Sequence, residues 1–420
     1  MKLFKLISVV VLLVVVLGAA ACGGGGDTST TAPPASETTA PPVTETTAPP
    51  ATETTAPPAT ETTEASTDTT LGPGESVTLI WASGLQSQSP TYTEFITSWA
   101  KWVEAKTNGR LTFDFQIDGS VLPPPQILDG ISTGVADVGD LFMGLFAGRF
   151  PLNEVVSLPF MFTYPASRTA GATATALINK YPELQAEFTK ANVKFLGFMP
   201  MGAGQIHTTK KVVKTVADLK GMVLESHSGE YVAEALKILG ATPEQINPAE
   251  GFDALAKGIV EGTIGEYEFI VSAGFGAVIN HSTEVGTFGQ GMEAVVMNLD
   301  SWNKLPADIQ AFLAGEAFTA YTEVMGYFMD VSDKTARDKL DAQYKAAGNE
   351  GVYVLPAAEL EAWKTAIAPV WAKWVENANK LGAPGDAILA DAQAYAKEFA
   401  YGTYAADYPE GLMKAWGILK

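Results

Sequence analysis

Apolar and polar positions fall into three regimes along the 420-residue chain. The first is one apolar run near the N-terminus, the second has no apolar period, and the third, from about Glu75, mixes strand and helix periods. In the third regime "VTLIWAS" (77–83) is apolar, branched and aromatic, which predicts a buried strand. Ser89-Pro90 then reads as a helix start with proline in the first turn. Tyr92, Phe95, Ile96, Trp99 and Val103 follow at helical spacing, and Asn108-Gly109 ends the run. "LTFDFQI" (111–117) alternates strictly, with Leu111, Phe113, Phe115 and Ile117 on one face. A helix over about 125–134 and a strand over 136–142 come next. Strand and helix in alternation predict a parallel, doubly wound sheet.

The order recurs with strands at 193–199, 222–226 and 293–299 and helices at 229–240 and 249–262. From about Ala307 the pattern is almost all helical. Trp363, Ile367, Val370, Trp371 and Trp374 form one apolar helix face, which predicts core. Two successive α/β units predict two lobes with a cleft for a small ligand between them.

The first two regimes read as export and tether. Lys2 and Lys5 precede an apolar stretch to Leu17, then small residues run into Cys22. That is a secretory signal, too short to span a membrane comfortably, and it resembles a bacterial lipobox with Ala19 in place of the usual leucine. An ordinary signal cut after Ala21 is the alternative. The lone cysteine at this one position favours lipidation of Cys22, which would hold the mature protein to a membrane by its acyl chains. The octapeptides "TTAPPASE", "TTAPPVTE", "TTAPPATE" and "TTAPPATE" then run from Thr30 to Glu61. They cannot bury a core, and their prolines favour an extended stalk. The expected division is signal 1–22, linker 23–74, lobe one 75–201 with 291–330, and lobe two 202–290 with 331–420.

Composition narrows the function. The chain is 47% hydrophobic, enough for a full core, and carries a formal charge of −20. That balance argues against nucleic-acid binding, which needs a basic face. One cysteine and three histidines argue against a disulfide framework, a multi-cysteine zinc site or a His-rich metal centre. There is no G-x-S-x-G elbow, no phosphate-binding G-x-x-x-x-G-K-[ST] and no H-E-x-x-H, so no enzyme is expected.

Several ordered motifs carry a resemblance. "KTNGRLTFDFQIDGSV", "ILDGISTGVADVGDLFMG", "VVSLPFMF", "VKTVADLKGMVLES" and "ALKILGATPEQINPAEGFDALAKGIVEG" together resemble the extracytoplasmic solute-binding proteins of TRAP transporters, the DctP-like class. The resemblance covers about residues 77–380. It implies an α/β, two-lobed, periplasmic-binding-protein-like fold with a long helix spanning both lobes. It also implies a monomer outside the cytoplasm that captures a small solute and hands it to a membrane permease. A sensory head feeding a receptor is the alternative.

The departures from that family concern charge. The family's carboxylate-binding arginine, at the end of the "GLKIR" strand, falls on Glu225. A second arginine falls near Gly204, and an asparagine falls on Gly265. Arginine holds a carboxylate by two parallel hydrogen bonds, and glutamate there would repel the same anion. A simple monocarboxylate is therefore not expected, and a neutral polyol or an amine-bearing solute is favoured.

Candidate contacts follow from these positions. Glu225 would accept from the solute or cap the next helix, and His227 would donate or be an ordinary loop residue. Glu266 and Tyr267, with Glu268 beyond, follow the hinge-side turn, where an acid either faces the cleft or is solvated. Trp81 offers a ring face to a sugar or cation, or packs in the core, and Gln86 and Gln88 follow it. Phe142 and Met143 would line the cleft, and Gln205 could replace the missing arginine as a neutral partner. No cofactor is expected, although calcium held by Glu225 and Glu266 could bridge to an acidic solute.

Overall fold

The computed structural model describes residues 70–418, apart from 147, 227–228, 247 and 401–406. The signal segment, Cys22, nearly all of the stalk, and His227 lie outside the described residues. The described strands are β1 (Val77–Ala82), β2 (Leu111–Gln116), β3 (Val138–Phe142), β4 (Val193–Ala203), β5 (Gln205–Thr208) and β6 (Val223–Glu225), then β7 (Thr242–Glu244), β8 (Gly262–Gly265), β9 (His281–Glu284), β10 (Gln290–Asn298) and β11 (Val352–Val354). They form two sheets, ordered β2-β1-β3-β10-β4 and β11-β9-β5-β8-β6-β7. Each sheet is the floor of one lobe.

The alternation in β2 arises because only one of its faces is covered. Leu111 is buried, while Phe113 and Phe115 lie edge-on or tilted against Trp81, at 5.6 and 5.5 Å between ring centroids. Asp114 points to water. β10 is different, with all nine residues buried, as expected of a strand covered on both faces.

The sheets are mixed, which corrects the parallel reading. β1, β2 and β3 are parallel, but β10 runs antiparallel between β3 and β4. The physical cause is the route of the chain. β4 runs through Gly204 straight into β5 of the other sheet, and the return from β9 to β10 crosses the other way. The two crossings bond to each other, with the Gly204 amide on the Gly289 carbonyl at 2.8 Å and the Phe288 amide on the Gly204 carbonyl at 2.9 Å.

A third connection is the helix Phe318–Ala346, which packs on β4 and the helix Ser167–Lys180 on one side and on the helix Tyr267–Ser272 on the other. Its Asp330 accepts from the Ser167 and Arg168 amides at 2.8 and 3.3 Å, capping the neighbouring helix from outside it. In the helix Ala357–Lys380, Trp363, Ile367, Val370 and Trp374 are buried as the spacing predicts, and half-buried Trp371 donates to the Pro159 carbonyl at 3.0 Å. The sequence division places the tail with lobe two, whereas its end packs against the cluster of the first sheet. Met413 and Trp416 join the core cluster that holds Trp81 and Trp99, and Trp416 lies 5.4 Å from the Trp102 ring. Phe95 and Trp102 leave an apolar face on the first helix, which the amphipathic tail covers.

Candidate functional site

A cavity of about 120 Å³ lies between the two sheets. The loop after β1 contributes Gln86, Ser89 and Thr91, the ends of β3 and β4 contribute Phe142 and Met201, and the helix Tyr267–Ser272 contributes Phe269 and Ser272. Its acids are Asp140, Glu266, Glu268 and Glu293. Among the described residues that line it there is no lysine, arginine or histidine.

The sheet register explains the first two acids. Asp140 of β3 faces Val295 of β10, and Phe142 faces Glu293. Asp140 and Glu293 are therefore diagonal neighbours on one face of the sheet, close enough to interact. Asp140 is anchored, accepting from the Trp81 indole N–H at 2.7 Å and the Ser83 hydroxyl at 2.9 Å. Burial pushes its carboxyl up, and those two donors pull it part of the way back. Glu293 is 7% exposed, and it shares a side-chain hydrogen bond with Asp140. Burial, and then the charge of Asp140, hold Glu293 well above the usual carboxylate range.

The other two acids enter at the start of a helix. Glu266 has extended backbone (φ −81°, ψ 155°) immediately before Tyr267–Ser272. That conformation sends residues 266 and 268 to the cavity and turns Tyr267 away. Glu268 is pushed up to about 7, by burial first and by the charge of Glu266 second. Its amide donates to Asp333 of the long helix at 2.9 Å. Burial pushes the Asp333 carboxyl up in turn. Glu266 packs against Gly202 of β4, where a Cβ would stand 2.4 Å from the Cβ of Glu266. Gly204 is tight as well, because a Cβ there would meet the Gly289 carbonyl at 3.0 Å. Neither glycine leaves room for an arginine side chain without rearrangement.

The residues singled out in the sequence are distributed as follows. Gln86, Phe142 and Glu266 line the cavity together. Trp81 is fully buried behind it and reaches it only through Asp140. Met143 is buried in the core, and Gln88 is exposed on the loop beside Ser87. Gln205 is locked at the crossing, with its Nε2 donating to the Gly286 carbonyl at 2.6 Å and its Oε1 accepting from the Val285 amide at 2.8 Å. Tyr267 is buried against His207 and Tyr164, with its hydroxyl 3.4 Å from Glu284. Glu225 is buried at the end of β6 and accepts from the Thr263 hydroxyl of β8, outside the cavity lining. His207 is buried and bridges Ser282 and the Gly265 carbonyl, and burial lowers its pKa to about 4.

Sequence reasoning misses Asp140 and Glu293, and for Glu268 it leaves open whether the acid faces the cleft or water. A signal was available for the first two. Each is an acid set in or at the end of an otherwise apolar strand, "VGDLF" and "EAVVMNL", where burial demands a partner.

Among the described residues no group of three or more His, Cys, Asp or Glu side chains stands at metal-holding spacing. No described helix is long and apolar enough to cross a membrane. A larger groove of about 840 Å³, between the 159–165 segment and the helices Ala357–Lys380 and Gly385–Glu398, contains no carboxylate and is separate from the acidic cavity.

The family model for bacterial extracellular solute-binding proteins, family 7, matches residues 82–377. A TRAP solute-binding protein from Rhodoferax ferrireducens, crystallised with copurified benzoate, superposes with a TM-score of 0.70 at 27% identity, over 77% of this chain and 98% of that one. One from Bordetella bronchiseptica, with bound mandelate, gives 0.69 at 26% identity, over 77% and 99%. The C4-dicarboxylate-binding periplasmic protein of Rhodobacter capsulatus is 26% identical over 298 residues, which is 69% of this chain and 84% of that one.

Proposed function

This chain belongs to the bacterial extracellular solute-binding proteins of family 7, and from that premise we propose that its solute carries an amine cation instead of a carboxylate. It is a small-molecule-binding transport protein and not an enzyme. The observation that carries the cargo reading is the sign of the cavity, lined by four carboxylates and, among its described lining residues, no basic side chain. A charge pair at about 4 Å in a partly buried site is worth about 4 kcal/mol at an effective dielectric of 20. An incoming carboxylate would meet that energy as repulsion from each acid that is ionised, while an ammonium would gain it, bring three donors and draw the raised carboxyls toward their ionised form. The relatives that hold benzoate and mandelate carry the opposite kind of cargo.

Delivery to a TRAP-type permease follows the family's mode of work. The signal pattern and Cys22 support a lipid anchor, and the Thr/Pro repeats support a tether that lets the binding head reach its membrane partner.

Calorimetric titration of the purified full-length chain in chelator tests the cargo, using primary amines, polyols and benzoate-like acids. Amines should bind and raise the melting temperature, while acids and polyols should not. Tight binding of an organic acid in chelator, with no response to amines, would sink the reading. Acid binding that appears only with added calcium would replace it by a calcium-bridged site.

A further inference from the structure

We propose that a surface notch around Glu154 receives the guanidinium of an arginine side chain presented by a protein partner. The notch shares no residue with the acidic cavity, and it stands independently of the cargo.

Three parts of the chain meet there. Pro151 and Glu154 come from the segment after β3, Glu230 and Tyr231 open the helix Glu230–Ile238 after β6, and Asn377 and Lys380 lie near the end of the helix Ala357–Lys380. β3 belongs to the first sheet and β6 to the second, so a group lodged in the notch touches both lobes. The walls are fixed in advance. The Trp374 indole N–H donates to the Pro151 carbonyl at 2.9 Å, and the Asn377 Nδ2 donates to the Tyr231 hydroxyl at 3.1 Å.

Glu154 carries the inference. It lines the notch at 7% exposure, and among the described residues no hydrogen bond or ion pair engages its carboxyl. Its neighbour Glu187 is satisfied, accepting from the Leu152 and Asn153 amides at 2.9 and 3.3 Å and from the Asn153 Nδ2 at 2.8 Å. Buried polar groups are almost always paired, so a carboxyl left open toward a notch calls for a donor. The nearby lysines are engaged elsewhere, Lys380 with Glu376 at 2.6 Å and Lys373 with Glu230 at 3.1 Å. Burial, and then the charges of Glu230 and Glu187, push Glu154 up to about 8, so it stays mostly protonated at neutral pH until a cation arrives. The notch offers acceptors in one place, namely the carboxyls of Glu154 and Glu230, the Asn377 Oδ1 and the Tyr231 hydroxyl. A guanidinium brings five N–H donors in a flat fork and pairs with a carboxylate through two parallel bonds, whereas an ammonium brings three donors as a point charge. Size favours a side chain over a free solute. The notch holds about 270 Å³, below the roughly 300 Å³ at which small-molecule clefts begin, and arginine is among the commonest anchors of protein interfaces.

The test is carbon NMR of the full-length chain labelled at its glutamate side-chain carboxyls, titrated with N-acetyl-arginine methylamide and with its lysine and citrulline analogues, the last a neutral isostere of arginine. Glu154→Gln and Glu154→Asp each identify the Glu154 resonance by its loss, and circular dichroism shows whether each is folded. The arginine probe should move that resonance and lower its titration midpoint from about 8. It should bind about 10-fold more tightly than the lysine probe, and the citrulline probe should leave the resonance in place. Glu154→Gln should leave the affinity of a primary amine for the acidic cavity unchanged, which separates the two sites. An equal response to arginine and citrulline would overturn the proposal, and so would a Glu154 resonance that stays still while other glutamates move.

Discussion

Glu268 shows at the scale of one residue what burying an acid beside another acid costs. Its carboxyl is raised from 4.5 to about 7. A carboxyl raised on folding contributes stability that is fully present below its unfolded value and is lost as pH rises through the folded one. For Glu268 that window runs from pH 4.5 to about 7, and a shift of this size corresponds to a cost of about 3 kcal/mol once the group is charged. Glu268→Gln keeps the shape and removes the charge. It should therefore raise the melting temperature of the ligand-free protein at pH 8 by roughly 5 °C and change it little at pH 4.5, as thermal melts at the two pH values would show. An equal shift at both would mean that the charge is not the destabilising factor. Burial raises Asp140 too, and the Trp81 and Ser83 donors offset only part of that rise.

At the scale of elements, the close approach of two helices depends on one missing side chain. A Cβ at Gly326 of the long helix would stand 2.5 Å from the Cα of Arg168 and 2.9 Å from its amide nitrogen. Backbone cannot swing aside as a flexible side chain can. Gly326→Ala should thus push the helix Ser167–Lys180 outward and cost about 1–3 kcal/mol, read as a lower urea midpoint. The affinity for a primary amine should not change, since neither helix supplies a carboxylate to the cavity lining. Elements of this kind were legible in the sequence to different degrees. β10 was legible as a strand from its continuous apolar run, but its direction was not, because periodicity does not record which way a chain re-enters a sheet. The long helix spanning both lobes was supplied by family resemblance. The Glu266–Glu268 segment was located but not oriented, since one extended residue before a helix decides which of three neighbours face inward. Glu225 drew attention as the place of an absent arginine, whereas the cavity acids stand on other strands, brought together only by the register of β3 with β10. Long-range pairing of that sort leaves no local trace.

For the whole molecule, the raised carboxyls act in one direction. Asp330 is held at about 6, Glu268 at about 7 and Glu154 at about 8, in each case mainly by burial, and Asp140, Glu293 and Asp333 are raised as well. Each contributes stability at acid pH that disappears as pH climbs through its folded value, so the ligand-free protein should melt at a higher temperature at pH 5.5 than at pH 8. The formal charge of −20 adds self-repulsion of the same sign, and a slope alone does not isolate the cavity. A bound amine does isolate it. It stabilises the ionised form of the cavity acids and leaves Glu154, which lies outside the cavity near Glu230 and Glu187, untouched. A saturating primary amine should accordingly raise the melting temperature more at pH 8 than at pH 5.5, and its binding near pH 7 should release protons. Titrations in phosphate and in Tris would then give different apparent heats, because the two buffers take up the released proton with different enthalpies. Glu154→Gln should flatten the stability slope between pH 5.5 and 8 without altering that difference in heats, whereas Glu268→Gln should reduce both. An amine-induced shift of equal size at the two pH values, with no buffer dependence, would mean that the cavity carboxyls are not the groups that meet the ligand.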